Sequence, residues 1–497
     1  MAGAGAAGGR STIAMEISAL LDHASALEEA GRLEEALAEA WRALDLQPDD
    51  PRAKRMIARL LRFHPALASD DRKPDLERLL SDPDFDPDAI TSAGWMLLIK
   101  QQKLSPGDDA QAIAEALENE PLALRLLHEG CVCVLDAELA LTSVRRFLLF
   151  GERWPDFPLL TQALVAQAAH NGGAWPFNAK EHSALERGDA GVFAAAYFPE
   201  RPSLSNGAAF GEVVTQAIAD QYVGWPYPVW SRLLAPNPTT VPRMVEKLDG
   251  GRQSGLTVEA DVLVAGCGTG HEAALLAKRF PDARITAIDI STTSLAYAAE
   301  RCRGLGIEFY LVDLHEVARL GRRFDLISCS GVLHHLPNPE GGWAKLVEVL
   351  KPGGVMNIMV YSRVARLTVQ AAQFHIADLR DQPVDDELLR TVRRRLIEKA
   401  PRFVAGSPDF FSLGGVHDLL LNRHEDPFDV PRIARAVDQL GLELLKFRLP
   451  TRAAEARYLR EHPEDGLFRD VDAWAALERA EPFLFSEMYD FWCRRAL

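Results

Sequence analysis

The sequence predicts an α/β protein in which a doubly wound parallel sheet follows an all-α helical region. From residue 260 onward, apolar runs of strand length alternate with amphipathic helical stretches, the order that produces parallel strands joined by crossover helices. Before residue 170, apolar positions recur at spacings of three and four, the period of amphipathic helices. A length of 497 residues also exceeds a single core, so we expect at least two domains.

The helical region has a helix-turn-helix pattern near its start. Residues 1–15 are rich in glycine and alanine and are expected to form a disordered tail. In residues 16–66, two helical patterns meet at Gly31, and Pro48 ends the second. This spacing resembles one tetratricopeptide (TPR) repeat; the alternative is a plain helical hairpin. Residues 67–205 are predicted to continue as an all-α region.

Aromatic and proline residues are concentrated between the two predicted domains. Residues 206–250 form a loop-rich linker or lid that contains the segment QYVGWPYPVW. Its prolines stiffen the chain, while Tyr222, Tyr227 and Trp230 offer flat apolar faces. One interpretation is a hydrophobic plug between domains. The other is a lid whose aromatic side chains cover a ligand of the next domain.

The first strand of the predicted sheet runs into a turn with three glycines, VLVAGCGTG. Gly266, Gly268 and Gly270 stand at alternate positions, whereas the dinucleotide-binding pattern is G-x-G-x-x-G. The third glycine therefore arrives one residue early, which is less suited to a pyrophosphate. The turn favours a ligand with a nucleoside and no phosphates.

Two aspartates end the next two strands. Asp289 lies in ITAIDIS and Asp313 in YLVDL. Because the carboxyl ends of parallel strands share one edge of the sheet, these carboxylates should line the crevice beside the glycine turn. Asp289 could accept both ribose hydroxyls, and Asp313 could read the amino edge of an adenine. Each could instead cap the helix that follows it.

These motifs carry a family resemblance. VLVAGCGTG, AIDIS, VDL, FDLISCSGVLHHLPNP and LKPGG occur in the order and spacing of class I S-adenosylmethionine-dependent methyltransferases, whose core is a Rossmann-like sheet. The resemblance assigns this core to residues 251–362 and implies S-adenosyl-L-methionine as cofactor. The segment that starts at Ser330 would flank the sulfonium and the substrate. The implied cofactor-binding residues are Gly266, Cys267, Gly268, Thr269, Gly270, Asp289, Ile290, Asp313, Leu314 and Ser330.

The end of the chain departs from this family's pattern. The usual sheet ends with an antiparallel seventh strand, and no clear candidate follows LELLKFRLP. Residues 431–497 are therefore predicted to supply the last core helix and strand plus a C-terminal helical tail. Either the sheet is truncated or the tail completes it in another way. The aromatic segment and the end of the chain also resemble bacterial proteins that join a TPR region to such a methyltransferase.

Two regions are candidates for contact with the methyl acceptor. His335, at the end of the fourth strand, is the candidate catalytic base for a hydroxyl acceptor, with His334 beside it; alternatively the histidine pair only shapes the loop. Residues 363–430 are predicted to be a helical insertion with a substrate-side loop that includes His417. There are two alternatives to substrate contact. The loop could be solvated and cap the next helix, or its histidines and acidic residues could bind a metal.

Bulk properties limit the function classes. The net charge of −16 argues against a broad nucleic-acid interface. No apolar run reaches the roughly 18 residues of a membrane span, and we expect a cytoplasmic protein. The favoured hypothesis is a methyltransferase with an unidentified acceptor, small molecule or protein, in which the TPR-like region recruits a partner or the substrate. The alternative is a TPR scaffold protein with an inactive methyltransferase-like domain. An oxidoreductase that uses NAD is disfavoured by the early third glycine.

Overall fold

The computed structural model describes residues 4–102, 104–188, 190–199, 211–212, 225–234, 236–422, 424–449, 451–481, 485 and 488–496. The chain divides into two compact units. The first comprises Met1–Arg201, Trp230–Leu234 and Gln382–Leu413; the second comprises Pro202–Val229, Ala235–Asp381 and Gly414–Leu497. The predicted insertion at 363–430 is therefore shared between the two units.

The described helices are, in chain order, α1 (Ala4–Glu29), α2 (Leu33–Leu46), α3 (Pro51–Phe63), α4 (Lys73–Ser81), α5 (Thr91–Gln102), α6 (Ala110–Glu118), α7 (Pro121–Glu129), α8 (Leu135–Phe150), α9 (Pro158–Asn171), α10 (Ala179–Glu186), α11 (Val241–Leu248), α12 (His271–Arg279), α13 (Thr292–Arg301), α14 (Pro339–Val349), α15 (Arg366–Phe374), α16 (Asp386–Lys399), α17 (Pro401–Ala405), α18 (Leu413–Leu420), α19 (Val430–Gln439), α20 (Arg452–Glu461) and α21 (Val471–Ala480). None of these helices is long and apolar enough to cross a bilayer.

The described strands are β1 (Gly211–Glu212), β2 (Asp261–Ala265), β3 (Arg284–Asp289), β4 (Glu308–Leu311), β5 (Phe324–Ser330), β6 (Leu350–Tyr361), β7 (Leu442–Arg448) and β8 (Met488–Arg495). They form one sheet in the order β1-β4-β3-β2-β5-β6-β8-β7. Strands β1 to β6 pair in parallel, and β8 is antiparallel to both β6 and β7. This is the doubly wound Rossmann-like sheet that the sequence predicts.

The first unit begins with a helical hairpin. The prediction of a disordered tail is wrong from Ala4 onward, because α1 begins there and alanine, the best helix former, is frequent in this stretch. Gly31 turns the chain between α1 and α2 in the left-handed conformation, with φ +74°. The Arg59 guanidinium on α3 donates to the Glu28 carboxylate at 3.0 Å. This arrangement agrees with a TPR repeat and with a plain hairpin alike, so the TPR assignment stays a prediction.

Residues 382–413 join the first unit through a buried arginine. Arg393 on α16 is 0% exposed and donates to Glu138 of α8 at 2.6 Å. It also donates to the carbonyl oxygens of Ala174 at 2.6 Å and Phe410 at 2.8 Å. A buried guanidinium needs this many acceptors to offset its desolvation. The ion pair thus fixes α16 among the helices of the first unit.

The C-terminal prediction is wrong for the last residues. Helix α21 ends at Ala480, and residues 488–495 form β8 instead of a helical tail. Residues 491–494 are all buried, as expected for a strand that lies between β6 and β7 in the sheet. The tail therefore completes the sheet with the antiparallel strand that the sequence analysis did not find.

Candidate functional site

The three glycines after β2 form a tight turn that admits no side chain. All three have positive φ values: +72° at Gly266, +51° at Gly268 and +80° at Gly270. A Cβ atom on Gly266 would lie 2.3 Å from a methyl group of Val332, and one on Gly270 would lie 2.8 Å from the Ala298 Cβ. Backbone conformation therefore favours glycine at all three positions, and close packing also excludes a side chain at Gly266 and Gly270.

Asp289, the last residue of β3, holds this turn. Its Oδ2 accepts the Gly268 N–H at 2.7 Å, and its Oδ1 accepts the Ser291 N–H at 2.8 Å. Burial raises the pKa of Asp289, while these N–H donors act to lower it. Each carboxylate oxygen has a second lone pair, so the side chain can accept ligand hydroxyls as well. Ile290 follows it and is half-buried.

Asp313 has the capping role that the sequence analysis left open. Its Oδ1 accepts the His315 N–H at 2.8 Å and lies 3.0 Å from the His315 Nδ1. It thereby caps a short 3-10 helix that begins with the buried Leu314. Strands β3 and β4 pair in parallel, and Asp289 lies opposite Leu311, the last residue of β4. Asp313 follows two residues later, at the same edge of the sheet as Asp289. The adenine assignment stays a prediction.

Part of the aromatic segment lies on the glycine turn. We call residues 225–229 the lid segment. The Thr269 hydroxyl donates to the Pro228 carbonyl at 2.6 Å. The Tyr227 carbonyl oxygen lies 3.3 Å from where a Cβ of Gly268 would stand. These contacts place the segment against the glycine turn, and the prediction that it covers a ligand stays a prediction.

The other residues predicted around the turn have different surroundings. Trp230 is buried and is assigned to the first unit, and its role in the lid stays a prediction. Tyr222 lies outside the described residues. Burial raises the pKa of the Cys267 thiol well above its ordinary value, so this residue is not a ready nucleophile.

The carboxyl ends of β5 and β6 lie level with each other. Ser330 pairs with Met359 in the strand register, and its hydroxyl lies 3.2 Å from the Met359 Sδ. The Gly331 N–H donates to the Met359 carbonyl at 3.1 Å. Tyr361, two residues further along β6, therefore ends close to the turn that follows Ser330.

The two neighbouring histidines differ in role. His334 is 0% exposed, and its Nδ1 accepts the Tyr361 N–H at 3.1 Å. These contacts favour the loop-shaping alternative for His334. His335 has its Nδ1 3.2 Å from the His424 carbonyl oxygen. An Nδ1–H donor there leaves Nε2 as the acceptor, and burial lowers the pKa of His335 to about 4, so its ring is neutral at pH 7.

The predicted substrate-side loop begins with a mostly buried helix. Residues 413–420 form α18, in which His417 is 7% exposed and stacks on Trp225 at a centroid distance of 5.3 Å. The loop prediction is wrong for this stretch because apolar side chains at helical spacing, Val416 and Leu420 among them, are buried. The predicted capping is confirmed at its end, where Asp429 accepts the Arg432 N–H at 2.8 Å.

Three residues that the sequence analysis did not select meet here. The Tyr361 hydroxyl donates to the Asp418 carboxylate at 3.4 Å, and the Arg366 guanidinium carbon lies 4.2 Å from the Tyr361 ring centroid. Tyr361 was detectable as the last residue of a strand at the site's edge. Nothing local to Asp418 or Arg366 indicated that α15 and α18 bring them to it.

The comparisons with known proteins identify relatives that are methyltransferases. A family model described as a methyltransferase domain matches residues 262–354. An uncharacterized protein of Synechococcus sp. is 39% identical over 190 residues, which are 37% of this chain and 45% of the relative. The malonyl-[acyl-carrier protein] O-methyltransferase of Acetivibrio thermocellus is 35% identical over 127 residues, which are 26% of this chain and 44% of the relative.

Another relative is covered for most of its length. The trans-aconitate 2-methyltransferase of Variovorax paradoxus is 30% identical over 219 residues, which are 41% of this chain and 76% of the relative. Among solved structures, PKMT2 from Rickettsia typhi in complex with AdoHcy is 15% identical with a TM-score of 0.38, covering 52% of this chain and 54% of that one. This chain thus spans less than half the length of the Synechococcus and Acetivibrio relatives.

Proposed function

We propose that this chain, which belongs to the class I S-adenosylmethionine-dependent methyltransferases, transfers a methyl group from S-adenosyl-L-methionine to an acceptor held at the carboxyl ends of β5 and β6. The observation that carries the proposal is the glycine turn bound by Asp289 at the end of the neighbouring strand. A turn without side chains allows close backbone approach of a ligand, and a carboxylate beside it recognises ribose.

The residues present fit this cofactor. Gly266, Gly268 and Gly270 would lie under its methionine part, and Asp289 has lone pairs free for the ribose hydroxyls. Asp313, at the next strand end, would lie near the adenine. When bound, the cofactor supplies an electrophilic methyl group on a sulfonium. The protein's own contribution is then to position the acceptor and to keep water out.

Two groups of this chain would contribute to the reaction, one by excluding water and one by accepting a proton. The lid segment, tied to the turn through Thr269 and Pro228, would exclude water from the site. His335 presents a neutral ring near the end of β5, and its Nε2 is one candidate for taking the proton of a hydroxyl acceptor. We also infer that the helical first unit recruits the acceptor or a partner protein, because its first helices resemble a TPR repeat.

Incubation with methyl-labelled S-adenosylmethionine tests the proposed reaction. The full chain is mixed with cell extract, and the label is then fractionated by size and compared with a heat-inactivated control. We expect label in an acceptor fraction, and its size separates a small molecule from a protein. Label at the level of the control in every fraction would contradict methyl transfer.

Replacing Thr269 by valine should weaken cofactor binding about fivefold. The variant keeps the shape of the side chain but leaves the Pro228 carbonyl without this donor. The contact that holds the lid segment on the turn then loses about 1 kcal/mol of free energy, which corresponds to about fivefold in affinity if the lid covers the cofactor. Calorimetric titration with S-adenosylhomocysteine measures the change. Thr269→Ser should restore the affinity because it keeps the hydroxyl. Thr257→Val at an exposed position should have no effect, and equal affinities for Thr269→Val and Thr257→Val would refute a binding role of the lid.

A further inference from the structure

Two side chains lie against the ring of Tyr361. The His334 ring stacks on it at a centroid distance of 3.8 Å, and the Arg366 guanidinium carbon lies 4.2 Å from its centroid. Its backbone N–H donates to the His334 Nδ1 at 3.1 Å. The Tyr361 hydroxyl therefore has a fixed direction, and it points to the Asp418 carboxylate at 3.4 Å.

Helix α18, which carries Asp418, is fixed from two sides. Toward the lid segment, a Cβ on Gly414 would lie 2.9 Å from the Pro226 carbonyl oxygen, and His417 stacks on Trp225. Toward α15, the Leu419 carbonyl accepts from the Arg366 guanidinium at 3.0 Å. Asp418 is thereby held between the lid segment and the end of β6, on the side where the acceptor is proposed to lie.

The negative charge of an ionised Asp418 favours an uncharged acceptor. Arg366, the cation that acts on Asp418, pairs with Glu425 and donates to the Leu419 carbonyl through Nη2, while its Nε and Nη1 have no hydrogen-bond partner among the described residues. The histidine on the same helix, His417, is neutral at pH 7, since burial lowers its pKa to about 4. A carboxylate acceptor beside Asp418 would meet a like charge. A hydroxyl would instead meet a proton acceptor.

We propose that Asp418, oriented by Tyr361, takes the proton of a phenolic or enolic hydroxyl as that oxygen is methylated. The inference rests on the proposed function. The O–H bond breaks, its proton moves to an Asp418 oxygen, and an oxygen electron pair forms the new bond to the methyl carbon. The electron pair of the broken carbon–sulfur bond stays on sulfur, which leaves as a neutral thioether. Charge and atoms balance without a further reactant.

The ionisation of Asp418 gives this step a pH dependence. Burial raises the pKa of Asp418 to about 6, while Arg366 on α15 and Tyr361 on β6 act to lower it. Only the ionised carboxylate accepts a proton, so the rate should rise as pH increases through about 6. If His335 were the base, no rise is expected between pH 5 and 8, because its pKa of about 4 leaves it neutral throughout.

The test compares four full-length proteins: wild type, Asp418→Asn, Tyr361→Phe and the control Asp438→Asn at an exposed position on α19. Calorimetry with S-adenosylhomocysteine comes first, and all four should bind it with similar affinity. Formation of S-adenosylhomocysteine is then followed from pH 5 to 8 with catechol as a phenolic probe and trans-aconitate as a carboxylate probe.

We expect wild type and Asp438→Asn to methylate catechol with a rise near pH 6. Asp418→Asn should lower kcat about 100-fold and flatten the profile. Tyr361→Phe should lower kcat about tenfold and move the rise to higher pH, because its hydroxyl stabilises the Asp418 carboxylate. A merely structural role of Tyr361 would not move the profile.

Three results would overturn the inference: catechol methylation by Asp418→Asn at the wild-type rate, a wild-type profile without the rise, or no methylation of catechol despite cofactor binding. A protein that methylates trans-aconitate but not catechol would give the third of these results. If wild type does not bind S-adenosylhomocysteine at all, the proposed function itself fails, and the two failures are therefore distinguishable.

Discussion

Replacing Asp289 by alanine should weaken the binding of S-adenosylhomocysteine about 100-fold. The substitution removes the carboxylate proposed to accept the ribose hydroxyls, and with it the acceptor that holds the turn through the Gly268 N–H at 2.7 Å. Hydrogen bonds to a charged group contribute about 1.5–3 kcal/mol, and a loss near 2.7 kcal/mol corresponds to 100-fold in affinity. Calorimetric titration of the full chain measures the dissociation constant directly.

Two further variants distinguish a loss of ligand contact from a general loss of folded structure. Asp289→Asn keeps one acceptor oxygen and should lose affinity about tenfold. Asp282→Ala removes an exposed carboxylate from the loop just before β3 and should bind as wild type does. An Asp289→Ala variant that binds within threefold of wild type would show that this carboxylate does not hold the cofactor.

Replacing Gly270 by alanine should lower the free energy of unfolding by about 3 kcal/mol. Its φ of +80° is unfavourable for any residue with a Cβ atom, which costs about 1–2 kcal/mol. The added Cβ would also lie 2.8 Å from the Ala298 Cβ and 3.1 Å from the Cys302 Sγ on the packed side of α13. Overpacking of this kind typically costs a further 1–3 kcal/mol.

The chain offers a matched control for this prediction. Gly304 has a φ of +85°, and a Cβ there would meet nothing within 4 Å. Gly304→Ala therefore tests the backbone strain alone and should cost about 1 kcal/mol. Urea unfolding of both variants gives the comparison. Equal losses for Gly270→Ala and Gly304→Ala would show that close packing against α13 does not constrain the turn.

The strands of the sheet were predictable where a short stretch of sequence is enough to identify them. Strands β2 to β7 appear in the sequence as apolar runs, and the turn between β2 and α12 appears as three glycines. Strand β8 was missed because it follows the helical pattern of α21, and its buried residues 491–494 are consecutive rather than alternating. The placement of α16 was not predictable, because Arg393 finds its partner Glu138 255 positions away.

The candidate site likewise contains residues with a local sequence signal and residues that only tertiary packing brings there. Asp289 could be selected from sequence because it ends a strand at a known offset from the glycine turn. Asp418 could not, because only the packing of α18 against the lid segment and Tyr361 brings it to the site. Trp230 was selected by its place in an aromatic segment, and its role stays a prediction because the boundary between the two units runs between it and Val229. Local sequence signals thus select the glycine turn and Asp289, whereas only tertiary packing selects Asp418.

The binding specificity of wild-type protein tests the central claim, that the glycine turn and Asp289 bind S-adenosylmethionine. Parallel calorimetric titrations with S-adenosylhomocysteine and NAD compare the two classes of ligand that such a turn can hold. We predict one saturable site for S-adenosylhomocysteine and no measurable binding of NAD. Tight binding of NAD without binding of S-adenosylhomocysteine would contradict the claim.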